Sequence, residues 1–277
     1  MVYFFIVWVI VLKGEIRMKV TILGARGSIP TEGPEMLEFG GGTSCVLVEN
    51  EDSAIFLDAG TGIINSPDIG DKAISILMTH PHLDHVLGLP FFPYIFEKGR
   101  AIGFYAGKNG LLTTYEQLGT VFSNPLWPCR IEDYPSGISF HDAEFPLQIG
   151  AFTITGIPSV HPGGGIVYRL EENGKSVIYA TDYEYMEDKI GDLIEFAKDC
   201  DLLLFDAQYT DEEFEMRRGY GHSTVAQGLE VMEKSGTKNI RFVHHDPRHT
   251  DEFLRKMEAP VKSEHVAFAR KDEVIIL

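Results

Sequence analysis

With 277 residues, 44% of them hydrophobic, the chain is long enough to bury a sizeable core, and a single domain is expected over residues 18–277. Its 41 acidic against 24 basic residues give a formal charge of −17, which argues against general nucleic-acid binding because phosphate contacts need clustered Lys and Arg. Cys45, Cys129 and Cys200 are odd in number and show no C-x-x-C spacing, so neither a disulfide framework nor a cysteine-ligated zinc is indicated, and a reducing cytoplasm is the default location.

Val2–Leu12 is an unbroken apolar run of eleven residues, shorter than the roughly 20 that a bilayer-spanning helix needs. It lacks a preceding basic segment and a small-residue cleavage site, so it matches a secretory signal poorly. Residues 1–17 read as an apolar extension upstream of the true start, since Met18-Lys19-Val20-Thr21-Ile22-Leu23-Gly24 looks like the beginning of a first strand; an extra packed element or a membrane-surface anchor are the alternatives.

From there the pattern is of short strands and turns. Lys19–Leu23, Cys45–Glu49 and Ala54–Leu57 read as successive antiparallel strands, with Gly40-Gly41-Gly42 as either a plain turn or a substrate-approach loop. A strand over Ile74–Met78 precedes His80-Pro81-His82-Leu83-Asp84-His85, and Val86–Phe96 reads as a buried helix and its exit. Residues 97–150 carry a strand at Ile102–Ala106, a helix from Leu111 to Gly119 and a Pro-rich irregular stretch from Asn124 to Gly137, read together as a cap over the site. Strands follow at Phe152–Ile157, Val167–Leu170 and Val177–Ala180, then an amphipathic helix at Glu187–Lys198 and a buried strand at Asp201–Phe205. The last third alternates a helix from Thr224 to Lys234, a strand at Ile240–Val243, a helix at Asp251–Glu258 and a terminal strand at Val274–Leu277. Strands in two batches, each closed by helices, suggest two facing sheets with helices outside.

The hexapeptide at 80–85 carries the chemistry. Three imidazoles and a carboxylate in a loop that turns into a helix can converge on two divalent ions, His80 and His82 reaching one, Asp84 and His85 its neighbour. Further ligands stand after predicted strands, where a rigid sheet can aim them: His161, Asp182, and His244 or its neighbour His245. Histidine and carboxylate donors suit Zn, Mn or Fe without choosing among them.

This set, with Leu57-Asp58-Ala59-Gly60-Thr61-Gly62 before the hexapeptide and His161, Asp182 and His244 after it, resembles the metallo-β-lactamase-fold hydrolases, particularly their ribonuclease Z-like and phosphodiesterase branch, from Met18 to the C-terminus. The resemblance implies an α/β fold, a four-layer αββα sandwich of two mixed β-sheets flanked by helices. It implies that His80, His82 and His161 hold one metal, that Asp84, His85 and His244 hold the other, that Asp182 bridges them, and that Asp58 supports the ligand loop through hydrogen bonds. Asp206, and His222 sixteen residues on, look like the acid–histidine pair of the ribonuclease Z-like enzymes; Asp206 would orient His222 and keep it protonated for a leaving oxygen. Arg217, Arg218 and Arg248 are close enough in sequence to that pair to meet a phosphate.

The expected activity is therefore hydrolysis of a small phosphodiester such as a cyclic nucleotide, with two divalent metal ions as cofactors and a hydroxide held between them at Asp182 as nucleophile. The alternatives are a lactone or thioester hydrolase on the same site, a tRNA 3'-processing endoribonuclease, or an iron-loaded redox or sensing protein. Two departures count against transfer RNA: no Gly- and Pro-rich basic arm is evident, and Phe242-Val-His-His-Asp-Pro-Arg248 differs from the usual ribonuclease Z ending. A homodimer is left open, and membrane contact is not expected unless the N-terminal run supplies it.

Overall fold

The computed structural model describes residues 18–277, so the run Val2–Leu12 lies outside the described residues. Strands β1 (Lys19–Gly24), β2 (Cys45–Glu49) and β3 (Ser53–Leu57) pair antiparallel, as expected, and β4 (Ala73–Met78), β5 (Ala101–Ala106) and β6 (Gly137–Asp142) extend the sheet in parallel. After β4 comes a short helix α1 (Leu83–Val86), and α2 (Thr114–Val121) follows β5. The second sheet runs antiparallel through β7 (Leu147–Ile149), β8 (Phe152–Pro158), β9 (Ile166–Glu172) and β10 (Lys175–Ala180), then parallel through β11 (Leu202–Asp206), β12 (Ile240–Val243) and β13 (Val266–Phe268). Helices α3 (Ile190–Phe196), α4 (Asp211–Met216), α5 (Val225–Ser235) and α6 (Asp251–Glu258) lie between its strands in the chain, and β14 (Val274–Ile276) returns to pair with β1. Among the described residues each sheet has seven strands and is mixed.

Alternation along the strands sorts side chains into three apolar layers. Val46, Val48, Ile55 and Leu57 meet Phe152, Leu170, Val177 and Leu204 between the sheets. Phe56, Ile76 and Phe104 face outward beneath Leu118 and Phe122, while Ile178, Leu203 and Phe205 face outward beneath Leu193, Val231 and Leu254. The four layers are thus helix, sheet, sheet, helix, the αββα sandwich expected.

Local chemistry explains where the predicted boundaries moved. The helix read at Leu111–Gly119 begins at Thr114, because the Thr113 hydroxyl accepts from the Glu116 amide while the Glu116 carboxylate accepts from the Thr113 amide. The helix read through Val86–Phe96 ends at Val86 and gives way to 3-10 turns at Leu89–Phe91 and Pro93–Phe96, since Pro90 and Pro93 lack the amide that an α-helix would use. The stretch 124–137 packs on the outer face of the first sheet, where the Trp127 ring stands edge-on to Phe91 and Phe122, and from the expected cap residues 107–110, Gln117 and Phe145 border a cavity with His80. The Gly40–Gly42 run packs against neighbouring backbone at Thr31 and Gly62.

The C-terminal end of α6 is held by one carboxylate. Glu258 accepts from the Phe268 amide at 2.9 Å and from Arg270 at 2.8 and 2.7 Å. Burial works against its charge, but Arg270 and the Phe268 amide outweigh burial and bring the group down to about 2. A carboxyl held below its unfolded value contributes stability above that value and loses it on acidification, here as pH falls from about 4.5 towards 2. Arg270 and Lys262 are partly exposed, so the contribution is on the order of 2 kcal/mol. The stability gap between the wild type and Glu258→Gln should therefore shrink steadily below pH 4.5 in urea unfolding; a constant gap from pH 6 to pH 3 would contradict it.

Candidate metal centre

Parallel strands open their C-terminal ends on one side of the sandwich, and the predicted site residues gather there. Thr79 to His82 leave β4 extended, which turns His80 and His82 to one side, and the first turn of α1 redirects Asp84 and His85. Asp58 follows β3, Asp182 follows β10 and His244 follows β12, each with a left-handed backbone at φ 60, 52 and 62. Ser28, after β1, shares that conformation at φ 63, so among the described residues four of the seven non-glycine residues with positive φ lie at this one edge. Such a backbone costs a residue bearing a Cβ about 1–2 kcal/mol, so the fold concentrates strain where these side chains are aimed.

Two donor sets result, and Asp182 lies between them. His80 Nε2 is 2.8 Å and His161 Nε2 3.2 Å from His82 Nδ1, and both Nε2 atoms stand 3.9 and 3.7 Å from Asp182 Oδ1. His85 Nε2 and His244 Nε2 are 3.2 and 3.1 Å from Asp84 Oδ2, and 3.1 and 3.2 Å from Asp182 Oδ2. Donors about 2.1 Å from a common ion in a tetrahedron stand roughly 3.4 Å apart, which is the spacing seen. The two carboxylate oxygens of Asp182 are divided between the sets.

Hydrogen bonds on the far side of four of the five rings, those of His80, His85, His161 and His244, set their tautomers. His85 Nδ1 donates to Asp58 Oδ2 at 2.7 Å, His244 Nδ1 to Gln208 Oε1 at 2.8 Å, and His161 Nδ1 to the Gly221 carbonyl at 3.2 Å. His80 Nδ1 lies 3.0 Å from Thr79 Oγ1, which in turn donates to Asp58. The inner nitrogens are left as lone pairs, as metal ligands require. His85 Nε2 is the telling one: it is buried, has no hydrogen-bond partner, and faces two carboxylate oxygens.

The electrostatics point the same way. Burial pushes the His80, His82 and His161 imidazoles below their ordinary value, so all three are neutral. At His85 and His244 burial also opposes charge, but Asp84 and Asp182 outweigh it, holding His85 well above its usual range and His244 at about 9. Asp182 is buried too, yet His244 and His85 keep it well below the carboxylate range. Two buried carboxylates, Asp84 and Asp182, thus demand positive charge, and a divalent cation meets that demand without protons. The residues present fit two such ions.

His245, the alternative to His244, points the other way. Its Nε2 donates to the Ala269 carbonyl at 3.0 Å and its ring stacks on Phe268 at 5.5 Å. Beside the ion sets, His222 Nδ1 donates to Asp206 Oδ2 at 2.8 Å, and the His222 ring stacks on His244 at 4.8 Å. Asp206 also accepts the Asp182 amide at 3.0 Å, so one buried carboxylate fixes both neighbours. Arg217 and Arg248 border a cavity of 540 Å³ with His222, Tyr209 and Tyr220, and both face Asp246, Arg248 at 2.6 Å and Arg217 at 3.8 Å. Arg218 pairs with Glu215 on a separate open groove of 1620 Å³ that also reaches His161.

Several participants were not read from the sequence. The Ser28 amide donates to Asp84 Oδ2 at 2.7 Å, and Gln208 orients His244. Gly27 is bare because a Cβ there would stand 2.4 Å from the His244 ring. The position of Gln208, two residues past Asp206 at a strand end, was the one available hint. Gly221→Ala is expected to disturb the His161 ring, since its Cβ would fall 1.9 Å from His161 Nδ1 at a backbone φ of 93. Its uptake of one cation should weaken by about tenfold or more while the second is kept, as counted by metal titration; unchanged uptake of both would contradict the packing argument.

A family model described as "Beta-lactamase superfamily domain" matches residues 54–245, and the chain belongs to that family. Within it, the chain is a metal-dependent hydrolase of the metallo-β-lactamase fold. It is 24% identical over 260 residues to the probable metallo-hydrolase YhfI of Bacillus subtilis (strain 168), covering 91% of this chain and 97% of that protein. It is 22% identical over 288 residues to the ribonuclease Z of Haloarcula marismortui, covering 84% and 87%. The crystal structure of YhfI superposes with a TM-score of 0.72 at 20% identity over 95% of this chain and 100% of that one, and a diphosphatase of the PhnP family with 0.65 at 20% identity over 95% and 98%.

Proposed function

We infer that the protein hydrolyses a small phosphodiester, such as a cyclic nucleotide, at a two-cation site. The observation that carries this reading is the division of Asp182 between two donor sets with a histidine–aspartate pair beside them. His80, His82 and His161 would hold one ion, Asp84, His85 and His244 the other, with Asp182 common to both and Asp58 fixing His85. Zn, Mn or Fe there would supply Lewis acidity, bringing water ionisation near neutrality and offsetting charge on phosphoryl oxygens.

The chain's own groups do the rest. Asp206 pins Nδ1 of His222, which leaves Nε2 to carry the proton that a departing alkoxide needs. Arg217 and Arg248, turned to the same cavity by Asp246, would meet the anionic part of the substrate. The ribonuclease Z and diphosphatase relatives support phosphorus–oxygen bond cleavage. They also favour a second reading, 3'-end cleavage of transfer RNA, against which stands the charge of −17.

Among the described residues no helix is long and apolar enough to cross a membrane. The test is a substrate panel on protein stripped with a chelator and then reloaded. An aryl phosphodiester should be hydrolysed after Zn or Mn is restored and not before, with cyclic nucleotides, lactones, thioesters and a precursor transfer RNA assayed in parallel. Silence toward every phosphodiester with every metal would overturn the reading, and faster turnover of esters would hand the site to the lactone or thioester alternative.

A further inference from the structure

Glu184 is a buried carboxylate that none of the chemistry above uses. It stands two residues beyond Asp182, and its own amide donates to the Val160 carbonyl at 2.9 Å, next to His161. Each of its oxygens is taken by a backbone amide of one loop: Oε1 accepts from Gly219 at 2.7 Å and Oε2 from Gly221 at 2.8 Å. Arg218, the residue before the first of those donors, directs its guanidinium to Glu215, so the Glu184 charge is left to the amides.

What that loop touches gives the clamp its meaning. The Gly221 carbonyl accepts from His161 Nδ1 and thereby fixes which nitrogen of that ring faces the other donors. The next residue is His222, whose Nδ1 is held by Asp206. A single loop therefore sets one ring of the His80, His82 and His161 set together with the ring that faces the leaving group. It supplies no donor to the set formed by Asp84, His85 and His244, which it meets through the stacking of His222 on His244. Charge-assisted bonds to amides are about twice as strong as neutral ones, which suits a clamp that must hold the turn against two imidazoles.

We propose that Glu184 is a positioning residue, clamping the 219–222 loop so that His161 and His222 are aligned together. The proposal rests on the two-cation reading, and its consequence is selective: loss of the clamp affects one ion and the proton donor and spares the other ion. Glu184→Gln keeps the volume but sets an NH2 group against one of the two amides; Glu184→Ala removes the clamp outright and serves as the second variant if it folds.

Metal-free protein is titrated with Zn²⁺ and separately with Mn²⁺, with His161→Ala as the marker for the ion held by His80, His82 and His161. The wild type should show two binding events, and Glu184→Gln should weaken the one that His161→Ala removes by about 10- to 100-fold, leaving the other as it was. Equal weakening of both events, or neither, would overturn the proposal. Amide exchange is measured on the same samples: Gly219 and Gly221 should exchange at least tenfold faster in the variant, with the strands unchanged. If the wild type takes up fewer than two ions the two-cation reading falls, and the clamp is then judged by exchange alone, unaltered protection of Gly219 and Gly221 refuting it.

Discussion

Asp182→Asn is expected to lower kcat/KM for an aryl phosphodiester by on the order of 10³-fold or more and to leave the protein with one bound cation or none. Removing one well-placed donor from a developing charge costs about 10²–10³-fold in other enzymes, and here one residue serves two donor sets. Its Oδ1 lies 3.7 Å from His161 Nε2 and its Oδ2 3.1 Å from His85 Nε2. Asparagine keeps the shape and the Thr181 contact but offers one oxygen, and its NH2 group cannot ligate. His85 and His244, held up in part by the Asp182 charge, should then lose protons more readily in the metal-free variant. Elemental analysis beside the kinetics decides the matter: two ions retained with near-normal turnover would remove Asp182 from the centre.

The second large effect concerns the leaving group. His222→Ala should reduce hydrolysis of an alkyl phosphodiester by about 10²–10⁴-fold, the usual yield of general acid–base catalysis, while a nitrophenyl ester, whose leaving group needs little protonation, should lose about tenfold or less. That contrast is the signature of a proton donor, because a purely structural defect would slow both substrates alike. Replacing Asp206 would be harder to read, since it also accepts the amides of Asp182, Gln208 and Ser223. If both substrates were hydrolysed normally by His222→Ala, the histidine would be a bystander and the ester-hydrolase alternative would gain.

Much of the fold was legible because its strands are continuous apolar runs. Leu202–Phe205 is buried on both faces, as its composition implied, and the ligands that follow such runs were found by their place. The hexapeptide was legible because four donors lie within six residues. The strands β6, β7 and β13 were missed, the last two only three residues long, and α4 was missed because Asp-Glu-Glu-Phe-Glu-Met shows no apolar face. Its start was nonetheless written in the sequence, where the Thr210 hydroxyl caps Glu213 three residues on. Ser28, Gln208, Gly27 and Glu184 act through space on partners 35 to 217 residues away, and no local pattern encodes such meetings; His244 and His245 could be told apart only once β12 had been given a direction.

Each donor set draws on both halves of the sandwich: His80 and His82 from the first sheet with His161 from the second, Asp84 and His85 from the first with His244 from the second. A cation in either set would act as a rivet across the seam, and its grip would add to the cohesion of the whole molecule. At a free ion concentration a hundred times the dissociation constant the gain is about 2.7 kcal/mol per ion. Trace-metal supply in the cell would then govern how long the polypeptide survives as well as how fast it works, and a starved population should be the first to be degraded.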